Sequence, residues 1–395
     1  MTSLTDTDHR YLWHPFTQMQ DWLNEEPIII ESGEGTVLRD TKGNEYLDAN
    51  SSIWTNLHGH RHPKIVAAIK GQVDRIAHSS FLGLSNTPAI QLAEKLVTLA
   101  QDSLHAPRSM LSRVFYSDDG STAMEVAIKM ALQYWIHAGQ PQRNKFISFA
   151  AAYHGDTLGA MSVGGIDLFH AVYRSLLFQV RHVANTDELA DALKRDGNAV
   201  AAVCIEPLIQ GAAGMHVWPK GTLRRTSELC QRYGALLIAD EVMTGFGRTG
   251  TMFACEQEGV VPDLMALAKG LTGGFLPLAA TLASERIFET FLGDYAEKKT
   301  FFHGHSYTGN QLGCTAALAS LQVFDEERTL ERLQPKIAYL DRLLSTLNSQ
   351  AAARFGSADS PWAWRCSRML RPALRTRGKR KPASASARKC ENAAC

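Results

Sequence analysis

The sequence predicts an α/β fold, a mostly parallel sheet with helices on both faces. Two observations carry that expectation. Short apolar runs recur through the middle of the chain, and stretches of helical period stand between them. A strand that is apolar on both faces has to be covered on both, which is the situation of a buried parallel sheet joined by helical crossovers. A third observation bears on function: reactive side chains follow directly after several of the apolar runs, and ligands of such sheets bind at the carboxyl ends of the strands.

The elements are justified in chain order. Residues 11–62 are aromatic and turn-rich, beginning YLWHPFTQMQDW, with a hairpin expected about Gly43-Asn44. Such a segment suits the wall of a pocket better than a core. From Pro63, PKIVAAIKGQVDRI has helical period, and proline is tolerated in a first turn. A second helix is expected over 88–99. The expected strands are RVFYS (113–117), KFISFA (145–150), AAVCIE (201–206), ALLIAD (235–240), DLMALA (263–268) and LAATLA (278–283), with helices over 121–137, 220–232 and 310–324.

Composition narrows the function classes. A length of 395 residues suffices for one large domain and a smaller one. With 45% apolar and 21% charged residues the chain has an ordinary globular balance. It lacks an apolar run of about 18 residues, so no transmembrane helix is expected. The polar, acidic first ten residues lack the pattern of a signal peptide, so a cytoplasmic location is expected. The net charge of +1 hides a split. Residues 351–395 hold eight Arg and three Lys against Asp359 and Glu391, a net +9, which leaves −8 on the rest. That mildly acidic body argues against a nucleic-acid surface. None of the seven cysteines forms a C-x-x-C pair, so neither zinc nor a redox pair is expected.

The chemistry lies at the strand ends. After RVFYS, Gly120-Ser121 opens a helix, whose free N–H groups and partial positive charge suit a phosphate; a plain N-cap at Ser121 is the alternative. ALLIAD ends in Asp240-Glu241. A carboxylate there can hold a pyridinium nitrogen protonated, the alternative being a metal-binding or helix-capping acid. DLMALA ends in Lys269-Gly270. Burial lowers a lysine's pKa and makes its amine a nucleophile suited to Schiff-base formation, the alternative being a snorkelling side chain. GFGRTG (245–250) matches G-x-G-x-x-G but does not join a strand directly to a helix, so dinucleotide binding is not expected. HGHRH (58–62) lacks helical i, i+4 spacing, and no metal is expected there.

Together and in order these pieces resemble the class III, fold-type I, pyridoxal-5′-phosphate (PLP) aminotransferases. The resemblance covers residues 11–350 and rests on WHPFTQM (13–19), SSIWTNLHGHRHP (51–63), DDGSTAMEVAIKMALQYW (118–135), YHGDTLGAMSVGG (153–165), IEPLIQGAAGM (205–215), LLIADEVMTGFGRTGTMFACE (236–256), LAKGLTGG (267–274) and FFHGHSYTGNQLGC (301–314). It implies that Lys269 carries the cofactor and moves protons, that Asp240 pairs with the ring nitrogen, and that Tyr153 and Val242 lie on opposite ring faces. It further implies that Gly120 and Ser121 hold the phosphate, and that His305 and Ser306 reach the phosphate of the neighbouring subunit of a homodimer. Phe16, Ile53, Trp54, Tyr153, Lys269 and Gly304 are implied in substrate binding, while Asp156, Glu206 and Arg248 match positions near the site. WHPFTQM, HGDTLGAMSV and the Trp54 region point within the family to the branch that aminates 7-keto-8-aminopelargonate in biotin biosynthesis, with S-adenosylmethionine or lysine as donor. Phe16 and Ile53 depart from the Tyr and Trp of some members. A general ω-amino acid or diamine aminotransferase, a mutase or decarboxylase on the same fold, and an inactive PLP-binding fragment are the rival readings.

The expected organisation is an N-terminal segment at 1–62, a large PLP-binding domain at 63–325, the start of an incomplete small C-terminal domain at 326–350, and a basic tail at 351–395. The tail is Ser/Ala-rich without strand or helix period, and is expected to be disordered or frameshifted in place of the family's C-terminal domain and its carboxylate-binding arginine.

Overall fold

The computed structural model describes residues 2–355. Among the described residues there are twelve strands: β1 (Ile30–Glu34), β2 (Val37–Asp40), β3 (Glu45–Leu47), β4 (Arg113–Ser117), β5 (Lys145–Phe149), β6 (Val180–Val183), β7 (Val200–Ile205), β8 (Ile209–Gln210), β9 (His216–Val217), β10 (Leu236–Asp240), β11 (Leu264–Leu267) and β12 (Ala279–Ala283). The central sheet has seven strands in the order β4-β12-β11-β10-β7-β5-β6. All run in one direction except β12, which is antiparallel to both β4 and β11. The sheet is therefore mostly parallel, as expected, and all six strands read from the sequence are present within a residue at either end.

Alternation along each strand explains the layers. On β10, Leu237 and Ala239 enter one core while Leu236 and Ile238 enter the other. The first core is closed by Leu92 and Leu96 of the Thr87–Ser103 helix, by Leu189 and Leu193 of the Thr186–Asp196 helix, and by Leu321 of the Gln311–Glu326 helix. The second is closed by Ala123, Met124, Ala127 and Ala131 of the Gly120–His137 helix, with Ala160 and Val163 beside them. Small alanines on that helix let it lie close to the sheet, so its N-terminus sits at the carboxyl edge of β4.

Three differences from the sequence reading stand out. The edge strand β6 and the Thr186–Asp196 helix extend the sheet where no element was expected. The hairpin about Gly43-Asn44 is present as β2 and β3, but β1 joins it in a separate three-stranded sheet. The Thr329–Phe355 helix crosses the expected boundary at 351, since SQAAARF continues helix-forming residues past it. The basic tail expected at 351–395 otherwise lies outside the described residues. Among the described residues no helix is long and apolar enough to cross a membrane.

Candidate active site

The carboxyl ends of β4, β5, β7, β10 and β11 meet at one edge of the sheet, around a cavity of about 690 Å³. Trp54, Gly120, Ser121, Tyr153, Asp156, Glu206, Asp240, Val242 and Lys269, all singled out in the sequence, line it. Residues far apart in the chain converge there because most follow the carboxyl ends of central strands, while Trp54 is brought in by the N-terminal segment.

Lys269 leaves β11 with φ of +45°, a left-handed conformation costly for a residue with a Cβ. Its Nζ lies 4.8 Å from the centre of the Trp54 ring. Burial pulls its amine below the ordinary lysine range, and the Asp240 and Glu206 carboxylates pull partly the other way. The side chain lines the cavity against Trp54 instead of reaching along the surface, so the amine is not a snorkelling charge; among the described residues no carboxylate lies within ion-pair distance of Nζ.

Asp240 is buried, at 5% exposure. One oxygen accepts from the Val242 N–H at 3.0 Å, and the other is 2.7 Å from His154 Nδ1. Burial opposes a charge on His154, but the Asp240 carboxylate outweighs it and raises its pKa. The neighbouring Glu241 faces away. It accepts from Thr244 Oγ1 and from the Ala254 and Cys255 N–H groups, so the capping alternative is true of Glu241 and not of Asp240.

The capping alternative for Ser121 does not hold. Asp119 is the cap: its carboxylate accepts from Thr122 N–H, and its carbonyl takes Ala123 N–H. This leaves the N–H groups of Gly120 and Ser121, in the first turn of an 18-residue helix, without a protein acceptor among the described residues. The Ser121 hydroxyl sits 2.9 Å from both the N–H and the hydroxyl of Thr157. A Cβ on Gly120 would come within 2.5 Å of Val242, and one on Gly155 within 2.3 Å of Ser121 Oγ. The cradle thus exists only with glycine at both places.

Tyr153 donates its hydroxyl to Asp156 at 2.7 Å; burial and that carboxylate raise its pKa. Trp54 ends a run of four residues, Ser51 to Trp54, all with φ between +49° and +66°. Asp48 holds the run through the Ser52 N–H and hydroxyl, and Arg248 donates to the Trp54 carbonyl at 3.0 Å.

Other expected residues lie outside the cavity wall of this chain. Phe16 is 71% exposed and touches Phe169 edge-on at 5.3 Å, and Phe169 in turn approaches the Tyr153 ring at 6.1 Å. Ile53 is exposed. His305 Nδ1 is 3.2 Å from Asp118 at the cavity rim, in the loop that carries Gly304 and Ser306. The HGHRH histidines go to separate partners: His58 to Ser320, His60 to Asn56 and Asp48, His62 to Glu327. GFGRTG is a run of turns with Gly250 against the Thr329–Phe355 helix, where Gln334 donates to its carbonyl at 2.9 Å. Sequence reasoning gave no role to His154, Gly155 and Thr157, which lie in the loop after β5 behind three alanines and so do not leave an apolar strand directly as Lys269 and Asp240 do.

Comparison with known proteins agrees with this arrangement. A family model described as aminotransferase class III matches residues 19–356. The adenosylmethionine-8-amino-7-oxononanoate aminotransferase of Nitratidesulfovibrio vulgaris is 52% identical over 87% of this chain, which spans 66% of that relative's length. The Geobacter sulfurreducens protein of the same name is 50% identical, again over 87% of this chain, with 79% of the relative covered. A crystal structure of the Methanocaldococcus jannaschii protein of that name superposes with a TM-score of 0.84 at 46% identity, covering 87% of this chain and 80% of that one. An (S)-enantioselective ω-transaminase from Thermomicrobium roseum superposes at 0.81 with 32% identity, covering 88% and 79%. With family model, relatives and solved structures agreeing over the same stretch, the chain belongs to the class III aminotransferases, enzymes that depend on PLP.

Proposed function

We propose that this chain aminates 7-keto-8-aminopelargonate to 7,8-diaminopelargonate in biotin biosynthesis, by a ping-pong cycle in which S-adenosylmethionine or lysine is the donor. One observation supports the reaction class: an amine depressed by burial, Lys269, shares a cavity with the buried carboxylate of Asp240. The substrate follows from identity, 52% and 50% to relatives named for it against 32% to the ω-transaminase.

The residues present fit PLP. The glycine cradle and two free N–H groups suit a phosphate, and a buried acid braced by His154 suits a protonated ring nitrogen. When bound, PLP supplies an aldehyde that condenses with amines and a ring that accepts electron density from the reacting carbon. The chain's own residues do the rest in this reading. Lys269 would hold the cofactor covalently and, once freed, would move the proton at the reacting carbon, for which its amine has to be neutral. Asp240 would pair with the ring nitrogen. Tyr153 and Val242 would bracket the ring, and Gly120 and Ser121 would hold the phosphate. Trp54, Ile53, Phe16 and Gly304 shape the substrate entrance. His305 and Ser306 reach the neighbouring copy's phosphate in a cytoplasmic homodimer. Residues 63–325 form the PLP-binding domain, with 1–62 contributing to its pocket and 326–350 opening a smaller one.

The test is reconstitution with PLP, borohydride reduction and peptide mapping, followed by assay of diamine formation from 8-amino-7-oxononanoate with each donor. The expected adduct is on Lys269, and K269A lowers kcat by at least about 100-fold. An adduct elsewhere ends the reading. Faster turnover of simple ω-amines than of the keto acid reassigns the substrate.

A further inference from the structure

Glu206 follows β7 and is 6% exposed, yet the roles above leave it without a task. One carboxylate oxygen accepts the Tyr153 N–H at 3.1 Å, and the other accepts the Gly211 N–H at 2.9 Å. Both donors belong to cavity-lining residues on different loops. Gly211 is pressed against its wall: a Cβ there would stand 2.3 Å from Met243 Sδ and 3.4 Å from the Trp54 ring. The carboxylate therefore sets the spacing between the Tyr153 side of the cavity and the Trp54 side. Two convergent N–H donors need two acceptor oxygens, which glutamate offers and glutamine does not.

The charge has consequences of its own. The titratable groups coupled to Glu206 are His154 from the loop after β5, Asp240 from β10 and Lys269 from the turn after β11; Tyr153 meets it only through its backbone N–H. Burial pushes the Glu206 carboxyl up to about 7; His154 lowers it, and Asp240 raises it further. Glu206 and Asp240 together oppose the depression of the Lys269 amine by burial, while the Arg248 guanidinium deepens it.

We propose that Glu206 is a positioning residue for transamination, clamping the Tyr153 loop to the Gly211 turn and acting with Asp240 on the charge of Lys269. The proposal rests on the PLP reading of Lys269. The experiment uses the full chain loaded with PLP. The pH midpoint of the visible absorbance change of the PLP–Lys269 adduct is measured for wild type, E206Q and E206D, together with kcat, KM and the melting temperature.

Loss in E206Q of the negative charge that Glu206 carries above about pH 7 is expected to move a midpoint in that range down by on the order of half a pH unit and to lower kcat/KM by about 10-fold. E206D keeps the charge but shortens the clamp, so its midpoint stays near wild type while kcat/KM falls. If E206Q does not fold, the split between midpoint and kcat/KM in E206D decides. Variants that change only the melting temperature, leaving midpoint and kcat/KM as in wild type, overturn the proposal and leave the PLP reading standing. A wild-type chain that never develops the visible band overturns that reading, and the proposal with it.

Discussion

Lys269 and Asp240 were legible because each is a charged residue leaving an apolar strand, a position that water alone does not explain. Ser121 was half legible. Its place at a helix start was right, but the cap belongs to Asp119 two residues earlier, and a one-dimensional reading cannot tell N-cap from N2. His154 was missed because an imidazole in a loop carries no period, and only the fold brings it 2.7 Å from Asp240. This pair makes a prediction about pH. The folded-state pKa of His154 is raised, so its contribution is complete below the unfolded value of about 6.5 and fades as pH rises through the folded one. H154Q is therefore expected to destabilise by about 1.5–3 kcal/mol in acid and by less in alkali. Thermal melts of both proteins across pH check this, and a penalty independent of pH removes His154 as the charged partner.

Among elements, buried strands were the easiest to read, since β7, β10, β11 and β12 are buried along their whole length and are apolar apart from Asp240 at the end of β10 and Thr281 in β12. The edge strand β6, VRHV, is half polar and only four residues long, so it gave no such run. The Thr186–Asp196 helix did carry its signals: Asn185 as cap, Asp187 and Glu188 in the first turn, Lys194 and Arg195 in the last. The left-handed run from Ser51 to Trp54 could not be foreseen, because SSIW contains no glycine to announce it. Such residues cost about 1–2 kcal/mol each, which Asp48 and Arg248 help to offset from outside the run. The loop after β5 gives a sharper test. Gly155 has φ of +117° and faces Ser121 at a distance no side chain tolerates. G155A is expected to cost about 1–3 kcal/mol in stability and to weaken PLP binding, read by melting and by cofactor titration. Unchanged cofactor affinity in a folded G155A sinks the idea that this turn shapes the cradle.

For the whole molecule, the α/β class followed from alternation alone, whereas the reversed direction of β12 did not, since an apolar pentapeptide reads the same either way. That reversal has a mechanical corollary. Ala279 stands opposite Ser117, beside the turn into the cradle, and Ala280 stands opposite Leu267, two residues before Lys269. Thr281 donates its hydroxyl to the carbonyl of Ala123 in the helix that begins at Gly120, 2.8 Å away. Anion cradle and reactive amine are thus measured off against a single five-residue ruler. Inserting one residue into that ruler would turn Thr281 to the other face and shift every later pairing. Lysine and cradle would then fall out of step with each other, although not one side chain of either had been altered.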